Sequence, residues 1–193
     1  LFEEKSMTRI VGISGSLRQG SYNTALLRLA AELAPQGTLM EIASIAEIPL
    51  YNGDLEASEG IPLAVRILKD KIKTADGVLL ATPEYNNSMP GVLKNTIDWL
   101  SRPGSDIPEV FGGRPFALIG ATIGPGGTLL SQAAWLPVFR VLGVQAYFGT
   151  RLAVSGAGKA FDEKGKLLDE SLREKVKKFM TDYAEFVIKQ RAK

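Results

Sequence analysis

A doubly wound α/β fold around a parallel sheet is what this 193-residue sequence predicts, and three observations carry that expectation. Short apolar runs alternate with longer amphipathic segments. The runs, such as Val78-Leu79-Leu80-Ala81, lack the polar alternation of a strand with one wet face, so they read as strands buried on both sides. No internal repeat, low-complexity tract or linker interrupts the alternation, which suits one domain.

Residues 9–14 form the first predicted strand, followed by a helix over 23–33. Residues 38–43 make the second strand, and Pro62 opens a helix over 62–74. The third strand spans 77–81, with a helix over 91–101 behind it. The fourth spans 116–121 and leads into a helix over 128–142 that Pro137 should kink. Residues 144–148 give the last core strand, with 152–154 as its continuation. Val176, Phe179, Met180, Tyr183 and Val187 share one face of a final helix that covers the sheet. A membrane-surface helix is the rival there, but Glu174, Asp182 and Glu185 interrupt its positive face. "FDEKGK", residues 161–166, is expected to be a hairpin turn. Five parallel strands fit the order 2-1-3-4-5 of a flavodoxin-like three-layer sandwich better than a six-stranded dinucleotide fold. Residues 7–193 are expected to be that single domain, and 1–6 a leader or disordered N-terminus.

Composition excludes more than it suggests. Hydrophobic residues make up 45% and charged residues 23%, and the net charge of +2 is dispersed, so no nucleic-acid footprint exists. No run reaches the length of a membrane span, and cytoplasmic residence is the expectation. The chain has neither cysteine nor histidine. Disulfides, a thiol nucleophile and a Ser-His-Asp triad are therefore ruled out, and no metal site is expected. Any redox chemistry must come from a bound cofactor.

Ligands of such folds bind beyond the carboxyl ends of the strands, where three loops are unusual. "GSLRQGSYNT", residues 15–24, is close to a nucleoside-triphosphate loop but has Ser21 where the lysine belongs. The hydroxyls of Ser16, Ser21 and Thr24, the amide of Asn23, and Arg18 surround a helix start, which suits a single terminal phosphate such as that of FMN. An ordinary βα turn with a serine cap is the plain alternative. In the second loop, Pro83 stiffens the chain before Glu84, Tyr85, Asn86 and Asn87, whose polar groups could meet the edge of a flavin ring. The third, "ATIGPGGT", brings Thr122 and Gly124 among glycines that allow approach to a flat ring.

At these residues the chain resembles the NADPH-dependent FMN reductase family of flavodoxin-like proteins. Within it, the chain is most similar to bacterial NAD(P)H:acceptor oxidoreductases of the quinone, chromate, azo and ferric reductase type. "GSLRQGSYN", "IPLYNGDLE", "ADGVLLATPEYNNSMPGVLKNTIDWLSRP" and "GGRPFALIGAT" carry the resemblance in order. It implies phosphate contacts from Ser16, Arg18, Ser21, Tyr22 and Asn23, and ring contacts from Glu84, Tyr85, Asn86, Asn87 and Thr122. The implied activity is hydride transfer from NADH or NADPH to FMN and then to quinones, chromate, azo or nitro compounds, or ferric complexes. No side chain is expected to be an essential proton donor; water or backbone amides come first, and Tyr85 second. A flavodoxin-type electron carrier and a non-catalytic flavin or nucleotide sensor are the rivals. A phosphohydrolase is disfavoured by the missing lysine and the lack of a carboxylate cluster.

The predicted helices over 128–142 and 91–101 are apolar nearly all round, more than packing on one sheet face requires. A homodimer pairing them is expected, and the resemblance allows a further step to a tetramer. The alternative is that the C-terminal segment covers both helices.

Overall fold

The computed structural model describes residues 7–191, so the expected N-terminal leader, residues 1–6, lies outside the described residues. The chain runs β1 (Thr8–Ser14), α1 (Tyr22–Glu32), β2 (Thr38–Ala43), α2 (Gly53–Glu59), α3 (Leu63–Lys73), β3 (Gly77–Ala81) and α4 (Gly91–Leu100). It continues through α5 (Ile107–Val110), β4 (Pro115–Ala121), α6 (Leu129–Ala134), α7 (Leu136–Leu142), β5 (Gln145–Ala146), β6 (Leu152–Val154), α8 (Ala157–Ala160) and α9 (Glu170–Arg191). Every strand pair is parallel, in the order β2-β1-β3-β4-β5, with β6 also on β4.

Period-2 alternation sorts the core into two layers. Ile10, Leu79, Ala117 and Ile119 meet Leu26 and Leu27 of α1 and Phe179, Met180 and Tyr183 of α9. Val11, Ile13, Val78, Leu80 and Phe116 face the opposite way, against α3, α4 and α7. The Tyr183 hydroxyl is fully buried and donates toward the carbonyls of Val78 at 2.8 Å and Pro115 at 3.1 Å. Burial raises its pKa well above the ordinary phenol value. The flavodoxin-like sandwich and the C-terminal covering helix are therefore as expected.

The fifth strand differs from the expectation. In place of one strand over 144–148, two short strands share the outer edge of β4. β5 pairs with Pro115 and Phe116, and β6 with Ile119–Ala121, giving six strands in five positions. The break falls where the Tyr147 ring turns into α9, with ring centroids 5.4 Å from Tyr183 and 5.3 Å from Phe186. The helix over 128–142 is likewise divided at Trp135, with Pro137 in the first turn of α7, where its missing N–H costs nothing. The "FDEKGK" turn is present, closed by a Phe161–Leu167 bridge.

Helix α4 also differs in what covers it. Leu93, Ile97, Trp99 and Leu100 are all buried within the chain, and α9 lies across the sheet from them. The segment before α2 provides the cover. Trp99 Nε1 and Asn95 Nδ2 donate to the Pro49 carbonyl at 2.8 and 2.9 Å, and the Tyr51 ring meets Trp99 edge-on at 4.9 Å.

Candidate functional site

Register brings the three loops together. Ser14 of β1 lies beside Ala81 of β3, and Ala81 beside Ile119 of β4, so β1 and β3 end level and β4 runs two residues further at the same end of the sheet. Gly15 lets the first loop close on the second: a side chain there would start 3.0 Å from Leu93, Pro83 and Pro90. Ser21 then caps α1, accepting from the Thr24 amide at 3.3 Å.

What the first loop leaves unpaired matters most. The Gly15 amide donates to Ala81, while the Ser16 and Arg18 amides make long bonds of 3.4 Å to Ser14 Oγ and Ser16 Oγ. Among the described residues, the amides of Gln19, Gly20, Ser21, Tyr22 and Asn23 have no acceptor. Five successive donors, with the positive end of an 11-residue helix behind them, favour an anion. Arg18 donates one N–H to the Gly20 carbonyl at 2.9 Å, which places its guanidinium at the same turn. Asn23 is engaged elsewhere. Its side chain is buried, donating to the Ala121 carbonyl at 2.8 Å and accepting from the Ala121 amide at 2.9 Å, so it ties α1 to β4.

The second and third loops are tied down from beneath. Thr82 Oγ1 and Ser131 Oγ lie 2.7 Å apart, Ser131 Oγ donates to the Pro83 carbonyl at 2.9 Å, and Trp135 Nε1 donates to Thr82 Oγ1 at 3.0 Å. Glu84 accepts the amides of Leu130 and Ser131 at 2.9 and 3.1 Å, capping α6 with its carboxylate. Gly120 is required here, because a Cβ would lie 2.0 Å from Thr128 Oγ1 and 2.5 Å from the Thr82 carbonyl. Asn86 and Asn87 occupy the two positive-φ corners, +51° and +60°, of a tight hairpin closed by reciprocal Tyr85–Ser88 bonds of 3.1 Å. That is type I′ geometry, and asparagine tolerates it better than most residues.

The loops enclose a cleft of about 210 Å³. Ser16, Arg18, Ser21, Tyr22 and Asn23 of the first loop line it together with Pro83, Glu84 and Tyr85 of the second and Thr122 of the third. Nine of the sequence-predicted site residues are thus brought together. Thr24, Asn86, Asn87 and Gly124 are not on the cleft wall; Thr24 Oγ1 is 2.8 Å from Ser14 Oγ. Ala121 and Ile123 line the cleft and were not singled out by sequence. Ile123 is an exposed apolar residue at the end of a core strand, and that exposure could have marked it. The unpaired donors lie on the first loop beside Arg18, and Tyr85 and Ile123 add apolar surface to the cleft. This donor set fits a flavin mononucleotide laid phosphate-first against the first loop. A larger hollow of about 340 Å³ lies between α6–α7 and the broken fifth strand, away from these loops.

Unpaired amides at the end of β1 and a cleft shared with the next two loops are the features of this flavodoxin-like fold that suit a flavin nucleotide. The chain belongs to the NADPH-dependent FMN reductase family, whose model matches residues 8–159. It is 46% identical over 166 residues to the NAD(P)H-dependent FMN reductase PA1204 of Pseudomonas aeruginosa, covering 86% of this chain and 88% of the relative. It is 36% identical over 179 residues to a 2-hydroxy-1,4-benzoquinone reductase of a Burkholderia species, covering 93% and 96% of the two chains. The solved flavoenzyme NAD(P)H:(acceptor) oxidoreductase FerB from Paracoccus denitrificans superposes with a TM-score of 0.84 at 31% identity, over 95% of this chain and 98% of that one.

Proposed function

We propose that the protein is an FMN-dependent NAD(P)H:acceptor oxidoreductase that passes electrons to quinones and similar small acceptors. The run of unpaired amides over residues 19–23 beside Arg18 carries this proposal. Bound FMN supplies the chemistry, taking hydride from the nicotinamide and returning it to the acceptor. The chain's own residues bind and orient. The first-loop amides, the Ser16 hydroxyl and Arg18 hold the phosphate, while Pro83, Glu84, Tyr85, Thr122 and Ile123 line the cleft for the ring. Glu84 acts from behind, through the amides of α6. The same chemistry extends to chromate, azo and nitro compounds and ferric complexes, because an open slot selects little beyond flatness and reduction potential.

Residues 7–193 are proposed to work as one FMN-binding domain, in the cytoplasm where reduced nicotinamide nucleotides form. No helix among the described residues is long and apolar enough to cross a membrane. A homodimer, able to associate further to a tetramer, is proposed through α6 and α7. Leu129, Leu130, Leu136 and Val141 of these helices are exposed, and Leu129 follows the third loop directly, so a partner would wall part of the cleft. The buried residues of α4 contribute less than the sequence suggests.

Steady-state kinetics tests the shared slot. Nicotinamide and acceptor in turn should give parallel double-reciprocal lines. Intersecting lines, with both substrates bound together, would contradict it.

A further inference from the structure

A second hollow, of about 300 Å³, opens on the other side of the first loop. Its walls are that loop, the Thr24 and Arg28 face of α1, and the chain leaving β2 at Ser44. Ser16 and Arg18 line this hollow and the cleft alike, so the two adjoin across one turn of chain. Residues 17–20 are exposed, so that turn stands open to solvent.

The walls carry two kinds of chemistry. Arg18 and Arg28 both line the hollow, and no aspartate or glutamate does. Among the described residues, the Arg28 side chain has no ion pair or hydrogen bond. Two guanidiniums around an acid-free hollow attract a phosphate, whose oxygens match their forked donors. Leu17, Ile42 and Ile45 add apolar surface to the same hollow, and Leu17 and Ile42 are exposed. Apolar side chains and a planar guanidinium both suit the face of an aromatic base. Ser44 Oγ accepts the Ala46 amide at 3.2 Å, which leaves its O–H available as a donor. Phosphate and base together make a nucleoside monophosphate.

The position beside the cleft narrows the choice. Arg18 is given above to the FMN phosphate, and it lines this hollow too. A free nucleotide here would bring its own dianion up against that phosphate. A nucleotide joined to FMN through a pyrophosphate avoids this, because the pair carries only about half the charge of two separate monophosphates. The link also makes the second contact intramolecular, so a hollow that holds the nucleotide weakly by itself still adds affinity.

We propose that this hollow receives the adenylate half of FAD, with Arg28 on its phosphate and Leu17 and Ile42 against its base, so that the protein accepts FAD as well as FMN. The proposal rests on the flavin placement proposed above.

Competition between the two flavins reads the site without reference to activity. The FMN-loaded protein is equilibrated with measured mixtures of FMN and FAD, and the flavins it retains are separated by chromatography. We expect the wild type to retain FAD at least as well as FMN. Arg28→Ala should lower the ratio of FAD to FMN affinity about tenfold or more, through FAD alone. Arg28→Lys, which keeps a charge but loses the fork, should restore part of it. Rejection of FAD by the wild type, or one ratio in wild type and Arg28→Ala, would overturn the assignment. So would tight binding of 5′-AMP to the FMN-loaded protein that Arg28→Ala removes while the flavin ratio stays in place, which would give the hollow to a free nucleotide. If the protein retains neither flavin, the flavin-dependent function itself fails. If it retains FMN alone, only the adenylate site fails.

Discussion

In the first loop, successive backbone donors over residues 19–23 have no acceptor among the described residues, while beneath the second and third loops Thr82, Ser131 and Trp135 satisfy one another. Both regions lie at the same edge of one sheet and both are rich in hydroxyls and amides. One is arranged to be completed by something from outside, and the other to stay fixed when nothing is there. Polar residues in a cleft are thus of two kinds, told apart by whether their partners are internal. Damage to the closed region should cost stability, and damage to the open one should cost ligand binding.

The largest expected effect is in the closed region. Gly120→Ala would place a methyl 2.0 Å from Thr128 Oγ1 and 2.5 Å from a backbone carbonyl that cannot turn aside. We expect a loss of about 3 kcal/mol or more, or roughly 6–12 °C in Tm, by thermal unfolding. A Tm within a degree of wild type would mean that β4 and α6 are not packed this closely.

Thr82→Val keeps the shape and removes the hydroxyl that Trp135 Nε1 and Ser131 use. A buried indole N–H left without an acceptor costs about 1–3 kcal/mol. Tm should fall while the FMN affinity of the folded protein changes little. The opposite pattern would place Thr82 in the open region.

The smallest effect belongs to neither region and serves as a control. The Lys69 ammonium, 2.7 Å from Asp106, holds that carboxyl below its usual pKa, and the Arg102 guanidinium does the same for Glu56. A depressed carboxylate contributes stability that is complete above the unfolded value, about 3.9 for aspartate and 4.3 for glutamate, and is lost as pH falls through the folded value. Tm should therefore hold down to about pH 4.5 and decline below it. Asp106→Asn should make that decline shallower; a steeper decline would contradict the pairing.

The fold was legible where burial sets the pattern. Fully apolar runs marked β1, β3 and β4, and the spacing of Val176, Phe179, Met180, Tyr183 and Val187 marked α9, because burial selects those residues directly. α2 was not legible. "GDLEASE" has no buried residue and no apolar stripe, and only the Asn52 cap and Gly60, at φ +77°, bound it. The broken fifth strand was hidden for a different reason. Residues 144–148 are apolar apart from Gln145, but Tyr147 leaves to pack on α9 and Phe148 is 74% exposed, so tertiary packing decided where pairing stops. The three loops were legible from fold position and composition. What each polar residue does there was not. Asn23 and Glu84 line the cleft as the sequence suggests, but their side chains also serve the fold, Asn23 clamping β4 and Glu84 capping α6, through partners 98 and 46 residues away. Local sequence carries no record of such partners.

The central claim is that the first loop is open because a phosphate completes it. Fluorescence-quenching titration of flavin-free protein with FMN and with riboflavin, which share a ring and differ in the phosphate, tests this most directly. We expect FMN to bind at least about a hundredfold more tightly. Arg18→Ala should reduce FMN affinity by about one to two decades, from a lost charge-assisted bond of roughly 1.5–3 kcal/mol, and leave Tm of the flavin-free protein in place. Equal affinity for FMN and riboflavin would contradict the claim, whatever the variant does.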